Sequence, residues 1–168
     1  GQDYTHTGMR NPLGSFNIPV NEKNNLIKLL HNDVFNQGIA VHLTEKPPQH
    51  TNIRIDLDFK FSLDVKTRIY TLDVLKSMVE LYNQSIFYYL DVHPENLISF
   101  VFERDAPYKD RGNTKDGVHI IYPLIICDTK IQHSIREKVL LHCQPTLDKI
   151  EGLKNKFEDI IDKSVIST

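Results

Sequence analysis

A chain of 168 residues, 40% hydrophobic and 25% charged, has the size and balance of one domain that buries a core without disulfide or metal staples. It contains neither an apolar run of membrane-spanning length nor a signal peptide, and Cys127 and Cys143 lack zinc-site spacing, so it reads as an intracellular protein with reduced thiols. A formal net charge of −2 argues against a domain that holds nucleic acid by bulk positive charge, and leaves room only for local contacts.

In the first twenty residues, Gly8, Pro12, Gly14 and Pro19 punctuate the chain as in an irregular lead-in. Asn21 is placed to cap a helix running to about Asn36, with Leu26, Leu29, Leu30 and Val34 at helical spacing and Gly38 as the stop. A strand over 39–43 follows, and Pro47 and Pro48 make 45–49 a connection. From Ile53 to Phe61, apolar and polar residues alternate without a break. That pattern predicts a strand with Ile53, Ile55, Leu57, Phe59 and Phe61 in a core and Asp56 and Asp58 together on the opposite face. Two positions apart on a strand, their Cα atoms lie about 7 Å apart, within reach of one metal cluster. An ordinary solvated strand face is the competing reading.

Thr71 can cap the longest helix, in which Leu72, Leu75, Val79, Tyr82, Ile86 and Tyr89 form an apolar stripe suited to crossing one face of a sheet. Residues 97–102 and 118–122 read as strands. The polar stretch between them, 103–117, is long for a hairpin connection and dense in cations, with Arg104, Lys109, Arg111 and Lys115. In the second of these strands Val118, Ile120 and Tyr122 share one face and His119 takes the other. A helix over 129–142 buries Ile131, Ile135 and Val139, and Pro145 ends or kinks it. In the tail, Ile160-Ile161-Asp162 is a short element able to bring a third carboxylate back to the sheet.

Phosphoryl transfer needs divalent metals more than covalent help from the protein, and magnesium and manganese take hard oxygen ligands. Asp56 and Asp58 on a rigid strand, with Asp162 from a distant segment, meet that demand. His119 could donate a hydrogen bond to a nucleotide phosphate, and Gly117 would let a phosphate approach the backbone. The other histidines offer no zinc-enzyme spacing.

Three segments, Ile55-Asp56-Leu57-Asp58-Phe59, Gly117-Val118-His119 and Ile161-Asp162-Lys163-Ser164-Val165-Ile166, resemble in order the three motifs of the archaeo-eukaryotic primase superfamily. The likeness is greatest to the N-terminal primase domain of primase-helicases from large DNA viruses of the poxvirus, asfarvirus and mimivirus group. It extends to Leu43-Thr44-Glu45-Lys46-Pro47 and Phe102-Glu103, and so covers the chain from about Thr5 onward.

The resemblance implies an α/β (α+β) fold. It has a mixed, largely antiparallel palm-like sheet related to the RNA-recognition-motif fold, long helices on one face, and a small N-terminal helix-strand unit. Residues 1–168 would form a single catalytic domain, a fragment of a longer primase-helicase. Asp56, Asp58 and Asp162 would be the catalytic, metal-binding carboxylates of a two-metal site for magnesium or manganese, with His119 and Lys115 on the nucleotide phosphates. The activity implied is a primase or primase-polymerase that joins NTPs or dNTPs on a single-stranded DNA template during DNA replication. Its partners would be that template, the nucleoside triphosphates and a helicase region of the same polypeptide, with no membrane, and a viral protein would work in the host-cell cytoplasm. Two other readings stay open: a D-x-D glycosyltransferase that holds a nucleotide sugar through manganese, and a catalytically silent module that positions a helicase.

Overall fold

Hydrophobic alternation and helical spacing account for most of the regular structure in the computed structural model, which describes residues 4–10, 13–46 and 48–166. Pro12 and Pro47, read above as chain breakers, lie outside the described residues. The chain divides into two compact units, Gly1–Pro48 and Gln49–Thr168.

In the first unit, β1 (His6–Met9), β2 (Leu13–Phe16) and β3 (Leu43–Glu45) form an antiparallel sheet of order β2-β1-β3. The first twenty residues therefore hold a hairpin rather than an irregular lead-in. Its strands carry Thr, Ser and glycines in place of an apolar alternation, and Gly8 faces Gly14 across the pair. The helix starts later than the expected Asn21 cap: a 3-10 turn, Val20–Glu22, precedes α1 (Lys23–His31), which runs into a π-helical stretch, Asn32–Asn36. Gly38, at φ 68°, closes that end, and the Ile39 amide donates to the Asp33 carbonyl at 2.8 Å. Residues 39–42 are thereby committed to ending the helix, and the expected strand begins only at Leu43.

The second unit is built on β4 (His50–Phe61), whose predicted alternation is realised along its whole length. Ile53, Ile55, Leu57, Phe59 and Phe61 are all buried, against Val118, Ile120 and Tyr122 of β7 (Asn113–Asp128). Each such side chain contributes about 1.5–3 kcal/mol when buried, and a one-residue slip would expose all five, so the register is firmly set. Strand β7 pairs antiparallel with β4, and its far edge carries β5 (Phe100–Glu103) and then β6 (Tyr108–Asp110). On the other side of β4 lies β8 (Ile161–Asp162), which gives the order β5-β7-β4-β8.

The same core takes in Leu75, Met78, Tyr82 and Ile86 of α2 (Leu72–Tyr89) and Ile135 and Val139 of α3 (Thr129–Leu140). Both helices thus cover the apolar face of the sheet. Their caps are those the chain offers: the Thr71 hydroxyl accepts from the Val74 amide, and the Asp128 carboxylate from the Lys130 amide. Helix α3 stops at Leu140, ahead of Pro145, which sits in the first turn of the short α4 (Gln144–Leu147), where a missing N–H costs nothing. A further short helix, α5 (Phe157–Ile160), leads into β8. Among the described residues no helix is long and apolar enough to cross a membrane.

Two local features depart from expectation. The cation-dense stretch 103–117 is largely a hairpin: Arg111 and Gly112, with φ of 45° and 82°, form the tight turn joining β6 to β7. Strand β7 also extends well beyond the expected 118–122, through a register shift opposite Asn52, whose side-chain amide donates to the Pro123 carbonyl at 2.6 Å.

Candidate functional site

The face of the sheet opposite the helices is ordered by strand register. Asp56 of β4 stands opposite His119 of β7 on one side and Asp162 of β8 on the other, and His119 stands opposite Phe102 of β5. Side chains of paired residues share a face, so Phe102, His119, Asp56 and Asp162 form one transverse row across four strands. The neighbouring rows hold Gly117 with Asp58, then Lys115 with Lys60, and on the other side Phe100, Ile121 and Arg54.

Asp56, Asp58 and Asp162 each bring a carboxylate oxygen to within 4.8 Å of the others. Asp162 reaches this position although β8 is only two residues long, because other groups hold its backbone. The buried Arg136 guanidinium of α3 donates from Nε to the Ile161 carbonyl at 2.7 Å and from Nη2 to the Glu158 carbonyl at 2.8 Å. Just past β8, the Asn155 side chain replaces a strand partner for β4, donating to the Asp58 carbonyl and accepting from the Lys60 amide. The backbone from Asp58 to Lys60 is thereby fixed.

The electrostatics of the three carboxylates differ. The Asp56 side chain is 14% exposed, and its Oδ1 is buried with no hydrogen-bond partner among the described residues. His119 Nδ1 lies 3.3 Å from that oxygen, an ion-pair distance without hydrogen-bond geometry. Burial pushes the Asp56 carboxyl above its ordinary range; the His119 contact opposes this, and the charges of Asp58 and Asp162 add to it. Asp162 is desolvated too, yet it is held below the ordinary range because Ser164 donates its hydroxyl at 2.6 Å and its amide at 2.9 Å.

Three clustered carboxylates, one of them with an orphaned oxygen, make a donor set that fits a hard divalent cation such as magnesium or manganese. Gly117 keeps the approach open, since a Cβ there would stand 3.4 Å from Asp58 Oδ1. A cleft of about 470 Å³ adjoins the triad, with Asp58, Asp162, Lys60 and Lys163 in its lining.

Of the residues singled out in the sequence, Asp56, Asp58, Asp162 and His119 come together. Lys115 shares their face but stands two strand positions beyond Gly117, its ammonium paired with Asp110 at 2.8 Å. Sequence reasoning did not single out Arg136, Asn155 or the exposed Phe100. The alternation Phe100-Val101-Phe102 was the available signal for the last of these.

An antiparallel sheet with helices on one face and a D-x-D pair, a histidine and a third aspartate in register on the other defines the primase-like class that the motif order suggested. Residues 5–168 match the family described as the C962R protein N-terminal AEP domain, and the chain belongs to this archaeo-eukaryotic primase family. It is also 32% identical, over 164 residues, to a protein of Acanthamoeba polyphaga mimivirus that bears a helicase name, L207/L206. That alignment takes in 96% of this chain and 17% of the relative's length. Together these likenesses support a primase-type domain of the viral primase-helicase kind.

Proposed function

We propose that this domain carries out metal-dependent, template-directed nucleotidyl transfer, adding NTPs or dNTPs to a primer on single-stranded DNA. The observation that carries the proposal is the convergence of Asp56, Asp58 and Asp162 from two strands distant in sequence, with a buried Asp56 oxygen that no hydrogen bond satisfies among the described residues. Magnesium or manganese held by these three would supply the positive charge that phosphoryl transfer requires at the attacking and leaving oxygens. The protein's part is to keep the carboxylates rigid: the buried side of β4 anchors Asp56 and Asp58, and Arg136 and Ser164 orient Asp162.

His119, 55% exposed and with Nδ1 turned toward Asp56, leaves Nε2 to meet a phosphate oxygen of the incoming nucleotide. Lys115, farther along the same face, is the second proposed phosphate contact. Convergence of His119 and Asp162 with the D-x-D pair supports this reading over a glycosyltransferase, which would need neither. The mimivirus relative's helicase name supports a domain, spanning residues 1–168, that works beside a helicase region of the same polypeptide; a viral protein of this kind would act at a replication site in the host cytoplasm.

The test is primer synthesis by the intact protein on single-stranded DNA with manganese or magnesium. Asp56→Asn is expected to lower synthesis by at least about 100-fold, the upper end of what losing even an outer partner of a metal ligand does. Unchanged synthesis in that variant would remove the site assignment.

A further inference from the structure

We propose that Phe100 and Phe102 of β5, with Ile121 beside them, form a stacking platform for the bases of a single-stranded DNA, whose phosphates are held by Arg54 and Arg104. This rests on the nucleotidyl-transfer reading and assigns the strand a place on the same sheet face.

Phenylalanine ordinarily buries most of its ring, yet Phe100 and Phe102 are 54% and 53% exposed, side by side on one face of the edge strand β5, whose other face is open as well. Both point to the triad face, and Phe102 lies in the row that continues through His119 to Asp56 and Asp162. At the spacing of adjacent strands, Phe102 is about 10 Å from Asp56 measured along that row, roughly one nucleotide's reach.

The two ring centroids are 6.5 Å apart. Stacked bases of a duplex rise about 3.4 Å per step, so each ring here accepts one base of an opened strand rather than a paired helix. Aromatic rings serve every base alike, because each base has a π-face.

Charge complementarity favours nucleic acid over a protein segment. Arg54 shares the row of Ile121 and Phe100, with Nη2 on the Thr51 hydroxyl at 3.0 Å. Exposed Arg104 directly follows β5, its guanidinium 4.5 Å from the centre of the Tyr108 ring, and its charge reaches Asp56. One cation thus stands across Ile121 from Phe100 and another past the end of β5 beyond Phe102, in a molecule of net negative charge.

The experiment is fluorescence anisotropy of a labelled oligothymidine with the intact protein in EDTA. Phe100→Ala and Phe102→Ala are each expected to weaken binding about 5- to 100-fold, and Phe102→Trp to keep it. Since both rings are exposed, the thermal midpoints should stay at the wild-type value. Wild-type affinity in the double alanine variant would overturn the proposal. So would a double variant that loses affinity for a free nucleoside triphosphate alone, or a photocrosslinker at position 102 that captures protein instead of the oligonucleotide. Asp56→Asn separates the two readings. If it abolishes synthesis while the alanine variants bind DNA normally, the platform alone fails; if it synthesises normally while they do not bind, the metal site alone fails.

Discussion

Asp56 is the residue at which the stability of the fold and the proposed metal site oppose each other. Its carboxylate is mostly buried, faces the charges of Asp58 and Asp162, and has one oxygen without a hydrogen-bond donor among the described residues. An unsatisfied buried polar atom costs about 1–3 kcal/mol, and such strain gathers at functional sites. Replacing Asp56 by Asn removes the charge and supplies an amide that can donate to the neighbouring carboxylates. The metal-free variant should be about 0.5–2 kcal/mol more stable than wild type, a rise of a few degrees in thermal midpoint by calorimetry in EDTA. Because the folded-state pKa of Asp56 is raised, its favourable contribution is present below the ordinary carboxylate range and is lost as pH rises through the raised value. The advantage of Asp56→Asn should therefore be full above the raised value and shrink as pH falls through it toward the ordinary carboxylate range. A variant less stable than wild type in EDTA would show that Asp56 is satisfied within the fold.

At the scale of elements, the shortest piece carries one of the three clustered carboxylates. Strand β8 has two residues, and Arg136 holds it to α3 by bonding the Ile161 and Glu158 carbonyls. Arg136→Met should leave those carbonyls short of a donor and loosen Asp162, lowering manganese affinity about 10- to 100-fold by titration calorimetry. In that background, Asp162→Asn should add little, because the two residues act as one unit. Full additivity would mean that Arg136 serves the fold alone.

This arrangement also marks the limit of what the residue pattern reveals. Strand β4 and helix α2 were legible because each carries a long, unbroken periodicity, and the face shared by Asp56 and Asp58 follows from period two alone. β8 is too short for any period, so Asp162 was only a candidate third carboxylate until the motif order singled it out. The side chains of Arg136 and Asn155 act on backbone 25 and 97 residues away, and contacts of that range leave no local trace. The β6–β7 hairpin was hidden because its turn, Arg111-Gly112, lies in a charged stretch that resembles a loop, and β1–β2 because glycine and hydroxyl residues replace the apolar alternation.

For the molecule as a whole, a net charge of −2 and an acidic centre decide how nucleic acid is held. With Arg54 and Arg104 as the phosphate contacts and two phenylalanines as the base contacts, counterion release supplies little of the affinity. Each phosphate contact on a single strand contributes about −0.7 to the slope of log affinity against log salt, so two predict a slope near −1.4. Between 50 and 200 mM salt, affinity for an oligothymidine should fall only about sevenfold. The two kinds of contact then separate in one titration series. The double alanine variant of Phe100 and Phe102 should lower affinity at every salt concentration and leave the slope in place, whereas Arg54→Ala or Arg104→Ala should each flatten it by about 0.7. A wild-type slope of about −4 or steeper would require phosphate contacts on basic surface elsewhere in the molecule, and the sheet face would then not be where the strand is chiefly held.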